Sequence, residues 1–374
     1  MTLESGSGSL FTRTSETLMA KPIFNEESPI FVCGTSRSGT NLMAACIRDQ
    51  TENCVVGETH YFDDLRVRFN AMLGNRLGKD EQKVCEDYFL ALTHRPYGHH
   101  GDPECATMSR TGLTEAAAAL GGCPDAYFLA YCKLQMEKYG SQGWGEKTPR
   151  HALRMNEILE LFPNARIIYM LRDPRGVVAS YRDWKNQGGF DLEADPDHIK
   201  ILEDEEKRTR KSYHPVIITL LWKAAFKAAQ AARELHGEDR IRIQQYELLC
   251  SEPDRQFSEV FSWIGSNAEV DSSNLTVQNS SYESYEEKGG VKSGPATRWR
   301  KKLTPREIGL VECVCGKTLA ESGYEPMKPR VSPLTLGYDL VSTTPAVVGA
   351  VRANMSRSGN IVKYVAHRAK LAFK

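Results

Sequence analysis

The residues best placed to do chemistry lie in Phe31-Val32-Cys33-Gly34-Thr35-Ser36-Arg37-Ser38-Gly39-Thr40-Asn41-Leu42-Met43. A short apolar run meets a loop of small residues and then a helical pattern. Gly34 and Gly39 enclose four residues, the glycine spacing of a phosphate-binding P-loop. In ATP- and GTP-binding loops the next residues are Lys and then Ser or Thr, whereas here they are Thr40 and Asn41. The Lys that reaches the β- and γ-phosphates is missing, and so is the usual Mg²⁺-ligating hydroxyl. Arg37 supplies a cation from inside the loop instead. In such a strand–loop–helix turn the backbone N–H groups form an anion nest, and the helix adds its positive N-terminal end. Ser38 and Thr40 offer hydroxyl donors, and Arg37 can clamp a phosphate or sulfate through two N–H bonds. The loop suits phosphate but not a magnesium triphosphate. The competing reading is a plain Gly/Ser turn with Arg37 exposed.

Two further segments bear charged groups at turns. Gly145-Glu146-Lys147-Thr148-Pro149-Arg150-His151 precedes a helical stretch, with Thr148 as N-cap and Pro149 at the first helical position. Ala165-Arg166-Ile167-Ile168-Tyr169-Met170-Leu171 reads as a buried strand ending in Arg172-Asp173-Pro174-Arg175-Gly176, and a helix carrying Ser180 follows. Open α/β sheets bind ligands beyond the carboxyl ends of their strands. Two strands that each end in an Arg-bearing turn fit that rule.

These segments resemble the sulfotransferases, and most of all the branch that includes tyrosylprotein sulfotransferases and many bacterial enzymes. Arg37-Ser38-Gly39-Thr40-Asn41 is similar to the loop that holds the 5′-phosphosulfate of the donor PAPS (3′-phosphoadenosine 5′-phosphosulfate), although many relatives carry Thr in place of Asn41. Arg172-Asp173-Pro174-Arg175 through Ser180 resembles the 3′-phosphate motif, in which Arg172 and Ser180 bind the phosphate that distinguishes PAPS. Glu146-Lys147-Thr148-Pro149 resembles the Lys-containing turn between them. Weaker matches cover Gln245-Tyr246-Glu247-Leu248-Leu249, Lys292 to Trp299, and Leu319 to Pro326 with Gly323-Tyr324. The resemblance spans roughly residues 29 to 326.

The resemblance implies an α/β fold, with a P-loop-like central parallel sheet flanked by helices and a helical acceptor-site insertion. It implies transfer of a sulfuryl group from PAPS to an acceptor hydroxyl or amine, leaving PAP and requiring no metal. Such a transfer parallels phosphoryl transfer, where in-line positioning and charge stabilisation supply most of the catalysis. A base must take the acceptor proton. Similar enzymes place a catalytic Glu after the second strand, which points to Glu58 in Cys54-Val55-Val56-Gly57-Glu58-Thr59-His60, with His60 as the second candidate. Lys147 then stabilises the leaving oxygen or the moving group. Arg298 and Tyr246 join the donor-binding set, with Lys292 and Ser293 as weaker candidates. Tyr246 packs near adenine or fills the core. Arg150 faces either donor or acceptor.

Composition sets outer bounds. The 374 residues hold 48 Lys and Arg against 48 Asp and Glu, so the formal net charge is zero and nothing global points to nucleic acid. No run of 18 apolar residues is present, and Met1 to Ser28 lacks a secretory apolar core. This departs from the Golgi-anchored tyrosylprotein enzymes, and the simplest reading is a soluble cytoplasmic protein. Ten cysteines show no CxxC zinc pattern and read as reduced thiols. Adjacent His99 and His100 read as loop residues rather than metal ligands.

Residues 1–28 read as a flexible tail, 29–330 as the sulfotransferase domain and 331–374 as a basic C-terminal extension. Within the domain, residues 61 to 140 are expected to be mostly helical, with a break at Pro96 to Pro103 capping the acceptor site. Arg240 to Gln245 is expected to be an alternating strand, residues 271 to 302 a mobile loop, and residues 304 to 322 a helix. The extension has no acidic residue after Asp339, and it carries Arg352, Arg357, Lys363, Arg368, Lys370 and Lys374 beside an apolar stripe from Ile361 to Leu371. A membrane surface, a partner subunit and its own domain are three surfaces it can pack on. Two other functions stay open: a P-loop kinase or phosphotransferase, which Thr40 and Asn41 disfavour, and a non-catalytic nucleotide-binding protein. Carbohydrate, lipid, small alcohol or phenol, and peptide tyrosine are all open as acceptors.

Overall fold

The computed structural model describes residues 22–95, 101–187, 213–275 and 294–353, with a few single positions between them. Five strands form one sheet: β1 (Ile30–Gly34), β2 (Asn53–Val56), β3 (Gly143–Lys147), β4 (Arg166–Leu171) and β5 (Ile241–Gln245). Their spatial order is β2-β3-β1-β4-β5, and every pairing is parallel. The expected α/β architecture is therefore the observed one. Central β1 pairs on both sides, with Val32 level with Lys147 on β3 and with Ile168 on β4.

A sheet covered on both faces needs strands apolar on both faces. β1 is buried throughout, and its side chains alternate. Phe31 and Cys33 enter a large aromatic core with Phe62, Phe128, Trp144 and Phe162. Ile30 and Val32 enter a second core with Met43, Ile47, Phe257 and Phe261. β4 divides the same way, with Ile167 and Tyr169 on the first face and Ile168 and Met170 on the second.

The flanking helices, in chain order, begin with α1 (Thr40–Gln50), which joins β1 to β2. Next come α2 (Lys79–His94), α3 (Arg110–Ala119) and α4 (Pro124–Lys138), the helical insertion before β3. α5 (Pro174–Gln187) follows β4, and α6 (Pro215–His236) precedes β5. After β5 come α7 (Tyr246–Ser251), α8 (Pro253–Ile264), α9 (Pro305–Cys315) and α10 (Pro333–Ala353).

Four local expectations change. Residues 143–147 form a strand between β2 and β1, so Lys147 ends a strand rather than sitting in a turn. β5 does not alternate strictly, since Ile241 and Gln244 are its buried positions. The helix expected over 304 to 322 is broken at Gly316, whose φ of 56° interrupts α-geometry before the short helix Lys317–Glu321. Residues 294–302 of the expected loop form two short helices, Gly294–Thr297 and Trp299–Lys302. His99, His100, Lys292, Ser293 and the stripe from Ile361 to Leu371 lie outside the described residues.

Candidate functional site

All five strands point their carboxyl ends at one edge of the sheet, and each delivers a candidate residue there. The β1–α1 loop brings Arg37 to Asn41, and the segment after β2 brings Glu58 and His60. β3 ends on Lys147, β4 runs into Arg172, and β5 runs into Tyr246.

The β1–α1 loop is tightly constrained. Gly34 and Gly39 have φ of 153° and 90°, in the region that favours glycine. A Cβ on Gly34 would lie 2.6 Å from the Met170 carbonyl oxygen, and one on Gly39 would lie 2.5 Å from the Tyr246 ring. Arg37 adopts φ of 72°, a left-handed conformation that costs a non-glycine residue roughly 1–2 kcal/mol. The Ser38 N–H donates to Thr35 O at 3.1 Å, while the Ser38 side chain is fully buried. Its Oγ has no hydrogen-bond partner among the described residues. A buried hydroxyl without a partner costs free energy unless a ligand engages it. Thr40 is also buried, at the first turn of α1, and Asn41 is partly buried beside it.

The second motif meets this loop. Arg37 Nε donates to Ser180 Oγ at 3.3 Å, and Arg172 Nη1 donates to the Arg37 carbonyl at 2.7 Å. The Arg172 guanidinium also lies 4.4 Å from the centre of the Tyr246 ring. Arg37, Arg172, Ser180, Tyr246 and Gly39 thus form one contiguous group, although they come from three strand ends. Asp173 does not pair with Arg172. It binds buried Arg175, which also reaches Glu312 and stacks 4.1 Å over Trp299. The Arg175 network therefore holds the turn and leaves Arg172 directed at the loop. Arg298 sits between the two short helices, half-buried, in a segment that packs on Tyr246 through Ala296 and on α5 through Trp299.

A second group of charges sits at the ends of β2 and β3. Lys147 Nζ donates to Glu58 Oε1 at 2.7 Å, and His60 Nε2 lies 3.2 Å from Glu58 Oε2. Burial pushes the Glu58 carboxyl up, but the Lys147 ammonium and the His60 contact outweigh it and hold the carboxyl well below the usual carboxylate range. Arg150 is turned toward Asp64 at 3.3 Å and Asp63 at 3.8 Å.

Two supporting residues were not singled out from the sequence. Glu146 is fully buried beside Lys147. It accepts from the Thr59 N–H at 3.0 Å, from the Thr59 hydroxyl at 2.9 Å and from the Thr148 hydroxyl, and His151 Nδ1 lies 3.0 Å from its other oxygen. Burial raises the proton affinity of Glu146, while His151 and these hydrogen bonds bring it below the ordinary value. Thr148 spends its hydroxyl here and makes no side-chain cap to the helix it precedes, contrary to the expectation from sequence. Glu247, one residue after Tyr246, accepts from the Asp173 N–H at 3.0 Å and from the Tyr324 hydroxyl at 2.7 Å, joining two segments that the sequence left separate. A carboxylate inside a strand, as in Gly145-Glu146-Lys147, was the signal available for Glu146. A strand does not bury one without several donors.

The fold and the side chains at its carboxyl edge define an α/β protein with a glycine-bounded loop after β1 and a paired carboxylate and ammonium at the ends of β2 and β3. Residues 29–269 match the model of the sulfotransferase family, and the chain belongs to that family, whose chemistry is sulfuryl transfer. Among solved structures it is similar to the sulfotransferase domain of the olefin synthase from Synechococcus PCC 7002, at 17% identity over 81% of this chain and 98% of that one, with a TM-score of 0.47. It is also similar to the sulfotransferase domain from the curacin biosynthetic pathway, at 15% identity over 81% and 99%, with a TM-score of 0.45. A sulfotransferase from Alicyclobacillus acidocaldarius matches at 14% identity over 80% and 97%, with a TM-score of 0.39. No curated protein sequence matches the chain. No described helix is long and apolar enough to cross a membrane.

Proposed function

We propose that this sulfotransferase takes its sulfuryl group from PAPS and passes it to an acceptor hydroxyl or amine, with Glu58 as general base. The observation that carries the donor assignment is the convergence of Arg37, Arg172 and Ser180, from two different strand ends, on one surface. A donor with two separated phosphate groups calls for two anion motifs side by side. The buried Ser38 hydroxyl, unpartnered among the described residues, and the tight glycine loop fit a 5′-phosphosulfate. Arg172 and Ser180 fit the 3′-phosphate, and Tyr246 offers its ring close by.

In the reaction, the acceptor oxygen or nitrogen attacks sulfur as the bond from sulfur to the 5′-phosphate oxygen breaks. Glu58 takes the acceptor proton, and Lys147 stabilises the charge growing on the leaving oxygen, a contribution worth several kcal/mol in preorganised sites. Lys147 is committed to Glu58 at 2.7 Å in the structure. Binding of the donor anion draws Lys147 away and so raises the basicity of Glu58. Glu58 is therefore a stronger base in the donor complex than in the free protein.

The test is calorimetric titration with PAP and with AMP, both without Mg²⁺. PAP is expected to bind far more tightly than AMP. Arg172→Ala is expected to remove about 2–4 kcal/mol of PAP affinity, roughly 30- to 1,000-fold, and to leave AMP nearly unchanged, as loss of a charge-assisted, two-point phosphate contact implies. Equal affinity for PAP and AMP, or Mg²⁺-dependent ATP binding in their place, would overturn the donor assignment and favour a kinase-type reading.

A further inference from the structure

Helix α10 lies beyond the residues matched to the family, and its two faces differ sharply. One face packs on α6 and α9. There Thr343 is buried, and Asp339 accepts from Arg306 Nε at 2.8 Å. The other face carries Leu334, Tyr338, Val341 and Val348, which are 85%, 69%, 75% and 44% exposed, with Pro345 exposed among them. The spacing along Leu334, Tyr338, Val341, Pro345 and Val348 is four, three, four and three residues. At 3.6 residues per turn these positions fall within an arc of about 80°, directly opposite Thr343. No charged residue occurs from Leu340 to Val351. A contiguous apolar stripe facing water marks a surface that is covered in use.

Charge indicates what covers it. All 48 acidic residues and 42 of the 48 basic ones precede Leu340, so the chain up to that point has a formal charge of −6. Residues 340–374 hold the other six, Arg352, Arg357, Lys363, Arg368, Lys370 and Lys374, and no acidic residue. An apolar stripe that leads into a purely cationic segment suits an interface that is both apolar and negatively charged. A bilayer rich in acidic lipids offers that pair of properties.

We propose that α10 and the basic residues after it dock this protein on an anionic membrane surface, with the helix lying in the plane of the interface. The net negative charge of the preceding chain favours an orientation in which the extension, rather than the body of the domain, faces the lipid.

Flotation of the full chain with vesicles tests this, comparing equal parts phosphatidylglycerol and phosphatidylcholine with phosphatidylcholine alone. The protein is expected to float with the anionic vesicles only, and less so when salt rises from about 0.1 M to about 0.5 M, where the Debye length falls to a few ångströms. The double substitution Tyr338→Glu and Val341→Glu is expected to cut the bound fraction about tenfold or more by placing two charges on the stripe. Both side chains are exposed, so its thermal unfolding should match that of the parent. Absence of flotation, or equal flotation of parent and variant, would overturn the proposal. So would a homodimer in light scattering that the double substitution dissolves, which would give the stripe to a second copy instead.

Discussion

Replacing Lys147 with Met separates the charge role of this residue from its bulk. The ammonium lies 2.7 Å from Glu58, and the two side chains are only 10% and 18% exposed. At an effective dielectric constant of about 20, that separation corresponds to roughly 6 kcal/mol of attraction before desolvation is counted. Removing one partner of a buried pair typically costs about 3–5 kcal/mol. Because both groups keep some contact with water, Lys147→Met should cost about 2–3 kcal/mol at pH 8. In the parent the folded Glu58 pKa is depressed, so its contribution is present above the unfolded value and lost only as pH falls through the folded one. In the variant only the His60 contact still opposes burial, so the folded pKa is expected to rise, and a rise above the unfolded value of about 4.3 gives this group a slope above pH 5. The variant therefore loses stability as pH climbs from 5 to 8, by up to about 1.4 kcal/mol for each unit by which the folded pKa is raised, whereas this group gives the parent no slope there. Urea unfolding of both proteins across that range provides the measurement. Adding Glu58→Gln to Lys147→Met should abolish the slope and recover at least about half of the loss at pH 8. A loss that is equal at every pH, or a double variant no more stable than the single one, would refute the reasoning.

Other consequences can be checked directly. Glu58→Gln should lower kcat by about 10²- to 10⁴-fold and leave PAP affinity within a few-fold, because general-base catalysis is worth that much. His60→Ala should lower kcat less than tenfold, and the reverse order in a single-turnover assay would transfer the role to His60. Gly39→Ala drives a Cβ to 2.5 Å from the Tyr246 ring at φ of 90°, so PAP affinity should fall more than about tenfold. Gly57→Ala is the control by calorimetry, since a Cβ there meets nothing within 4 Å.

The parts of the fold legible in the sequence were those whose burial is uniform. β1 and β4 are apolar runs buried on both faces, and each is followed by glycine- or proline-marked turns. β3 was not legible as a strand, because Gly143-Trp144-Gly145-Glu146-Lys147 has no apolar run. Its glycines let neighbouring strands approach closely: a Cβ on Gly145 would lie 2.4 Å from the Ile30 carbonyl oxygen. Its Glu is tolerated only because Thr59, Thr148 and His151 arrive from other segments. The candidate site was legible as separate motifs at strand ends. What sequence spacing could not supply was the pairing across them, such as Arg37 with Ser180 or Tyr324 with Glu247. The pairing of Arg175, rather than Arg172, with Asp173 was equally hidden, since both arginines flank that carboxylate within two residues.

Glu146 has a consequence for how the reaction is timed. By holding Thr59 on one side and Thr148 with His151 on the other, it fastens the backbone that follows β2 to the backbone that follows β3. Glu58 and Lys147 are the immediate neighbours of that fastening, so the distance between their attachment points does not depend on their own attraction. On the proposed pathway an incoming donor can claim the ammonium without loosening the carboxylate. The base then gains proton affinity while standing still, and the site is armed by an exchange of electrostatic partners.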